Sequence, residues 1–450
     1  MAYSLKPQEN RVLLEKTKHI NNHLRNWQAL FFFALHIPIV LLFRESEITT
    51  TVHALLTLLI GLFWVIKDKE PDRPILVLAY IAGAELLWRG LHAHVFWEYG
   101  KYSTIILLLA MLLKYKGPYK MDSSGIIFII LLIPSIFLLP SFDREAISFN
   151  LSGPLAISLA VTFFSQVQLS KELIRNLLIA FIAPIVGLAT LTLLGIFSTP
   201  EIIFLNDSLY STSAGIGPNQ VSSTLGLGVL GAFFLLVLMR RYRFTWLIVL
   251  GIFFWLLIQD ALTFSRGGLW TTAIALLTAG YFLWKDKQYK HYLIGTIVIV
   301  GLIGIVAVFP VLNRYTGNAL QVRFSSLDLT KRDILIRAEL KAFQENPWFG
   351  VGPGQSGKYF EAILGKSYDS HTEYTRLLGE HGILGGLAIL VLIVITLNRL
   401  FKKTSPYHKM YALSFTAWAL FYMTHSATRT VAPSLLFGLA SAIFIDSTDE

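Results

Sequence analysis

His371 lies in Ser370-His371-Thr372-Glu373-Tyr374, followed after a short helical run by Gly382-Ile383-Leu384-Gly385. Ser370 or Thr372 can cap the following helix. The positive end of a helix disfavours an imidazolium, so a neutral imidazole there suits proton abstraction near neutral pH. Glu373 is near enough in sequence to orient a ring nitrogen; the plainer reading is an exposed histidine at a helix cap. Arg266 sits in Thr263-Phe264-Ser265-Arg266-Gly267-Gly268, a connection too short for anything but a tight turn. The two glycines are expected to bend the backbone and bare amide N–H groups where the next helix begins. A guanidinium at a helix N-terminus suits a diphosphate, while an arginine snorkelling to lipid headgroups would read the same. More cations stand in Lys331-Arg332-Asp333-Ile334-Leu335-Ile336-Arg337. On a helix Arg332 and Arg337 diverge by about 140°, so a single ligand meets one of them rather than both. Alternatively the whole face is solvated, with Asp333 and Glu339 as partners. His425 and Arg429 share a connection farther on, open to a supporting role or a structural one.

One motif is a decoy. Gly352-Pro353-Gly354-Gln355-Ser356-Gly357-Lys358-Tyr359 fits a phosphate-loop pattern, but Tyr359 replaces the Ser or Thr that would hold Mg²⁺. These glycines read instead as a turn-rich approach to the His371 segment. The chain has no cysteine, which excludes disulfides, thiolate catalysis and Cys-based metal sites.

The elements that must position these residues are membrane helices. Of 450 residues 54% are hydrophobic and 15% charged, and the mean hydropathy is +0.59, far from the balance of a soluble domain. The expected fold is an all-α polytopic membrane protein with about 14 transmembrane helices and one long, partly helical extracytoplasmic loop. Spans are expected at 27–43, 50–66, 74–90, 103–113, 124–140, 151–168, 174–197, 219–239, 244–264, 268–284, 291–311, 376–398, 408–424 and 430–445. The expected organisation is a basic cytoplasmic N-terminus over 1–26, helices over 27–311, the loop over 312–375, helices over 376–445 and a cytoplasmic C-terminus over 446–450. The polar first 26 residues lack the pattern of a cleavable signal. With both ends inside, cytoplasmic segments hold 23 of the 38 Lys and Arg residues and the short outer loops hold six, as the positive-inside rule requires. The net charge of +10 is thus topological, aimed at anionic lipid rather than nucleic acid. Within the loop, Ile334, Leu335, Ala338, Ala342 and Phe343 keep helical spacing until Asn346-Pro347 stops the run.

Taken together, His371 with its small polar neighbour, the run from Glu373 to His381 and Gly382-x-x-Gly385 resemble the signature of the O-antigen ligase and O-antigen polymerase superfamily. Asn346-Pro347-Trp348-Phe349-Gly350-Val351-Gly352-Pro353-Gly354 resembles that family's Pro-hydrophobic-hydrophobic-Gly-Val-Gly segment, and Ser265-Arg266-Gly267-Gly268 its earlier arginine turn. The resemblance covers roughly residues 200–400. It implies a metal-independent, inverting glycosyltransferase of the bacterial inner membrane, without cofactor, acting at the periplasmic face. The donor would be an undecaprenyl-diphosphate-linked glycan, and the acceptor lipid A-core in a ligase or a lipid-linked repeat in a polymerase, with the ligase preferred on the histidine motif. His371 would be the base, and Arg266 with Arg337 or Arg332 would hold the diphosphate. A flippase or other transporter is the alternative class, but the charges cluster at one face instead of the midplane.

Overall fold

The structure, a computed structural model, describes residues 27–139, 143–198, 202, 204, 207–325, 332–365 and 369–445. Both terminal segments, 1–26 and 446–450, and Lys331 lie outside the described residues. The chain is helical apart from one short strand pairing. Its helices are α1 (Trp27–Arg44), α2 (Glu47–Lys67), α3 (Asp72–Gly90), α4 (Tyr99–Lys114), α5 (Ser124–Ile130), α6 (Arg144–Phe164), α7 (Lys171–Ser198), α8 (Pro218–Leu238) and α9 (Arg243–Leu262). They continue with α10 (Arg266–Lys285), α11 (Lys290–Ile303), α12 (Phe309–Tyr315), α13 (Ala319–Ser325), α14 (Arg332–Glu345), α15 (Ser356–Leu364), α16 (Glu373–Phe401), α17 (Pro406–Tyr422) and α18 (Ala432–Leu439).

Among the described residues eight helical stretches are long and apolar enough to cross a membrane: α1, α2, α6, α7, α8, α9, α16, and α11 run on through a π turn into α12. Helices α7 and α8 are apolar on every side and almost wholly buried, as centrally placed helices must be. α3 packs along α7, α10 along α17, and α8 contacts α7, α9 and α10. The α11–α12 rod is the opposite case. It is strongly apolar yet hardly any of it is covered by protein, so hydrocarbon is the solvent its surface calls for.

Two expected spans are not continuous helices. In 124–140, α5 ends at Ile130 and a 3₁₀ turn, Pro134–Leu138, follows, because Pro134 can donate no helical hydrogen bond. In 430–445, α18 has only eight residues, a rise of about 12 Å against the ~30 Å of a hydrocarbon core. The chain then forms a strand, Ile443–Phe444, paired in parallel with Gln168–Leu169. The loop helix expected after Lys331 is α14, buried along Leu335, Ala338, Glu339 and Ala342 and stopped before Pro347.

In this cysteine-free chain Lys358 is exposed on α15, so Lys358→Cys gives a single thiol on the loop. If the loop is extracytoplasmic, an impermeant maleimide labels it from outside intact spheroplasts. Labelling only after lysis would reverse the topology.

Candidate active site

The head of α16 is built from a capping residue and a buried ion triad. Thr372 is the N-cap, in extended backbone with its Oγ1 accepting from Thr375 N–H, which leaves His371 just outside the first turn. One turn inside, Arg376 pairs with Glu373 and, at 2.8 Å, with Glu380, all three side chains almost completely buried. Glu373 also accepts the Thr428 backbone N–H at 3.0 Å and its hydroxyl at 3.2 Å. The i, i+3 and i, i+4 spacing of Glu373, Arg376 and Glu380 was visible in the sequence as facing charges on one helix stripe. Glu373 therefore anchors a neighbouring loop rather than orienting His371.

Farther along, α16 breaks at Gly382, whose φ of 62° and ψ of −141° are open only to glycine without strain. The break frees carbonyls that the 346–354 segment then satisfies: Val351 N–H donates to Gly379 C=O, Gly352 N–H to Glu380 C=O, and in return Ile383 N–H donates to Pro347 C=O. The approach is close enough that a Cβ on Gly382 would lie 2.6 Å from Gly350 N, and one on Gly350, itself at φ 71°, would lie 2.3 Å from Glu380 C. The glycine motifs of the loop and of α16 are two halves of one backbone joint. His381, beside the kink, is buried with Nδ1 2.6 Å from Ser135 Oγ, so the joint also meets the break after α5.

At the Arg266 turn the strained residue is not a glycine. Phe264 carries the left-handed backbone, φ 57°, a costly state for a bulky side chain, and its carbonyl accepts from Arg323 Nε at 3.1 Å. Gly267 and Gly268 are instead helical and needed for close packing. A Cβ on Gly267 would meet the His425 ring at 2.5 Å, and one on Gly268 would meet Ser222 Oγ at 2.0 Å. His425 thus braces this turn: its Nδ1–H donates to Phe421 C=O at 3.0 Å and its Nε2 faces Ser223 Oγ at 3.0 Å.

A cavity of about 1490 Å³ opens over these elements, lined by His371, Arg332, Arg323, Arg429, Asn219 and Glu380 among others. Among the described residues six helices begin on its wall, with Glu98 before α4, Asp143 and Arg144 at α6, Pro218 at α8, Arg332 at α14, Ser356 at α15 and His371 before α16. Their amide dipoles add positive potential to the guanidinium groups. Asn219 Oδ1 accepts from both Ser265 Oγ at 2.9 Å and Arg332 Nη2 at 3.2 Å, joining the Arg266 turn to the loop helix. Burial, then the neighbouring Arg266 and Arg323 charges, weaken the hold of Arg332 on its proton. The His371 imidazole is pushed down to about 4, first by burial and then by the Arg332 and Arg429 guanidinium groups, so it is neutral at pH 7. Arg429 lies over the Phe149 ring at 4.0 Å and reaches Asn150 Oδ1 at 3.4 Å.

The structure therefore brings together His371, Arg332 and Arg429. Arg266 stands behind Arg332 and does not line the cavity. Arg337 is turned away, with its side chain 78% exposed and paired with Asp333 at 3.3 Å, as the divergence along α14 requires. Glu339, read from the sequence as a solvated partner, is buried. It accepts from Thr375 Oγ1, and burial pushes its carboxyl up to about 7. Arg323 and Asn219 carried no motif that would have marked them.

An apolar helical bundle with a cavity that carries a histidine and several arginines where helix N-termini meet defines a membrane protein with a charged pocket. Residues 251–390 match the O-Antigen ligase family, which supports placing this stretch of the chain in the O-antigen ligase superfamily. A comparison with curated proteins gives no match. The matched stretch contains Arg266, Arg323, Arg332 and His371, while Asn150, Asn219 and Arg429 reach the same cavity from outside it.

Arg376→Ala would leave Glu373 and Glu380 buried without their counter-charge, a loss of about 3–5 kcal/mol, read as a lower melting temperature in detergent. An unchanged melting temperature would contradict the anchoring role.

Proposed function

We propose that this protein is a bacterial inner-membrane glycosyltransferase that moves an oligo- or polysaccharide from undecaprenyl diphosphate to an acceptor sugar hydroxyl at the periplasmic face, with inversion and without a metal. The observation that carries the reading is the neutral His371 facing the same cavity as Arg332, Arg323 and Arg429. The acceptor oxygen attacks the anomeric carbon and passes its proton to His371, while the bond from that carbon to the diphosphate oxygen breaks and the electron pair leaves with the diphosphate. Charge grows on the departing oxygens, where preorganised guanidinium groups and helix N-termini give most. A diphosphate leaves without a carboxylic acid to protonate it, which removes the need for a glycosidase-like carboxylate pair. The matched family is described as O-Antigen ligase, which supports the ligase reading, in which lipid A-core is the acceptor; a lipid-linked repeat is the acceptor in the polymerase alternative. In a deletion strain, loss of all polymer from the core marks a ligase and a single attached repeat marks a polymerase.

His371→Ala should lower transfer by about 10²–10⁴-fold, the usual worth of a general base, with donor binding retained. Full activity would end the base assignment. The active form is the unprotonated ring, so the wild-type rate should fall on acidification through about pH 4 rather than near the ordinary histidine value of about 6.5. Arg332→Ala removes one of the cations that oppose protonation, so its acid limb should move to higher pH and its rate drop. Arg332→Lys keeps the charge but loses the fork, so it should slow transfer with the limb in place. Arg332→Ala should cost more than Arg337→Ala; the reverse order in transfer assays would reassign the diphosphate cation.

A further inference from the structure

The wall of the cavity formed by the α3–α4 connection has no part in the chemistry above and lies outside the matched 251–390 segment. Trp97 stands there 49% exposed, with Phe96 beside it 54% exposed. One face of the indole is covered: the Arg89 guanidinium lies 4.4 Å from the ring centroid. That guanidinium is held by Glu85 Oε1 at 2.7 Å, Gln220 Oε1 at 3.1 Å, the Trp97 carbonyl at 2.9 Å and the Arg429 carbonyl at 3.3 Å. The indole is thus braced from behind by a buried cation, while about half of it stays open beside the cavity. Phe96 is kept in place by edge contacts, at 5.4 Å to Tyr102 and 5.8 Å to Tyr99. Glu98 also lines the cavity and makes no side-chain cap bond to α4, so its carboxylate is not spent on the helix.

A flat apolar face with a hydrogen-bonding carboxylate at its edge matches a sugar ring, whose C–H groups form an apolar face and whose hydroxyls form a polar rim. The negative face of an indole attracts those C–H groups, and Glu98 accepts from a hydroxyl. The same carboxylate repels a diphosphate, which the guanidinium groups of the cavity attract. We propose that Trp97, with Phe96 and Glu98, is a stacking platform for a neutral pyranose ring, in the glycan of either the donor or the acceptor. The proposal rests on the transferase reading for the identity of the ligand, and on Trp97 itself for the site. Because Arg89 also grips the Arg429 carbonyl, a sugar on the platform is registered to the cationic wall.

The test uses full-length protein in nanodiscs and two lipid-free probes: the oligosaccharide released by mild acid from the lipid-diphosphate glycan, and that released by mild acid from the cell-envelope glycolipid. Trp97→Ala should weaken binding of one probe roughly tenfold at an unchanged melting temperature. Trp97→Phe, which keeps an aromatic face and guards against a folding defect, should weaken it much less, and Glu98→Gln severalfold. In the transfer assay the KM of the matching substrate should rise with kcat held, identifying donor glycan or acceptor. Unaltered affinity in Trp97→Ala, or no binding of either probe to the wild-type protein, overturns the platform and leaves Trp97 an interfacial anchor. Trp97-dependent binding with no transfer from any lipid-diphosphate donor would instead sink the transferase reading and leave the platform standing.

Discussion

Arg376, buried between Glu373 and Glu380, is the interaction on which the site depends. Removing three charges from water is costly, and it is tolerated only where each is paired and its remaining hydrogen bonds are met. Here Arg376 is shared between two carboxylates, Glu373 takes two further bonds from Thr428, and Arg429 lies within electrostatic reach of both carboxylates. The Glu373 N–H also donates to Met423 C=O at 2.8 Å. One node therefore fixes the first turn of α16, and with it His371, against the connection that carries His425 and Arg429. The Gly382 joint then ties the same helix to the 346–354 segment, so the loop cannot shift without breaking backbone hydrogen bonds.

On that frame the structure gathers guanidinium groups. Arg266, Arg323, Arg332 and Arg429 act on one region, and six helices begin around it. Carboxylates stand around the same cavity: Glu380 is committed to Arg376, Asp207 pairs with Arg323 at 3.6 Å, Asp143 caps α6, and Glu98, Glu145 and Asp369 also line it. Like charges held close in a partly buried site store repulsion that an anion would relieve. The same cations, acting after burial, keep the His371 ring neutral. The gathering of guanidinium groups and the neutrality of the ring are consequences of one electrostatic arrangement.

Much of this was legible in the residues. The helix boundaries around Arg266, α14 and α16 followed from caps, proline and periodicity, and the separation of Arg332 from Arg337 followed from helical rotation alone. The glycines were read for flexibility. Gly350 and Gly382 do adopt backbone that other residues avoid, but Gly267 and Gly268 serve close packing, and the bend falls on Phe264. Steric need of that kind depends on what stands opposite, which local sequence does not contain. Glu339 was misread for the same reason: a carboxylate on an amphipathic helix looks solvated until the neighbour that covers it is known.

The sequence by itself determined the class: hydropathy demanded membrane helices, and the spacing around His371 and Arg266 marked candidate residues. Those are local properties, carried by residue type and helical period. Only the tertiary structure decided which charges share a cavity. It selected Arg332 over Arg337, set Arg266 behind it, and added Arg323, Asn219 and the Trp97 wall, because proximity between residues far apart in the chain arises from helix packing and is written in no single segment.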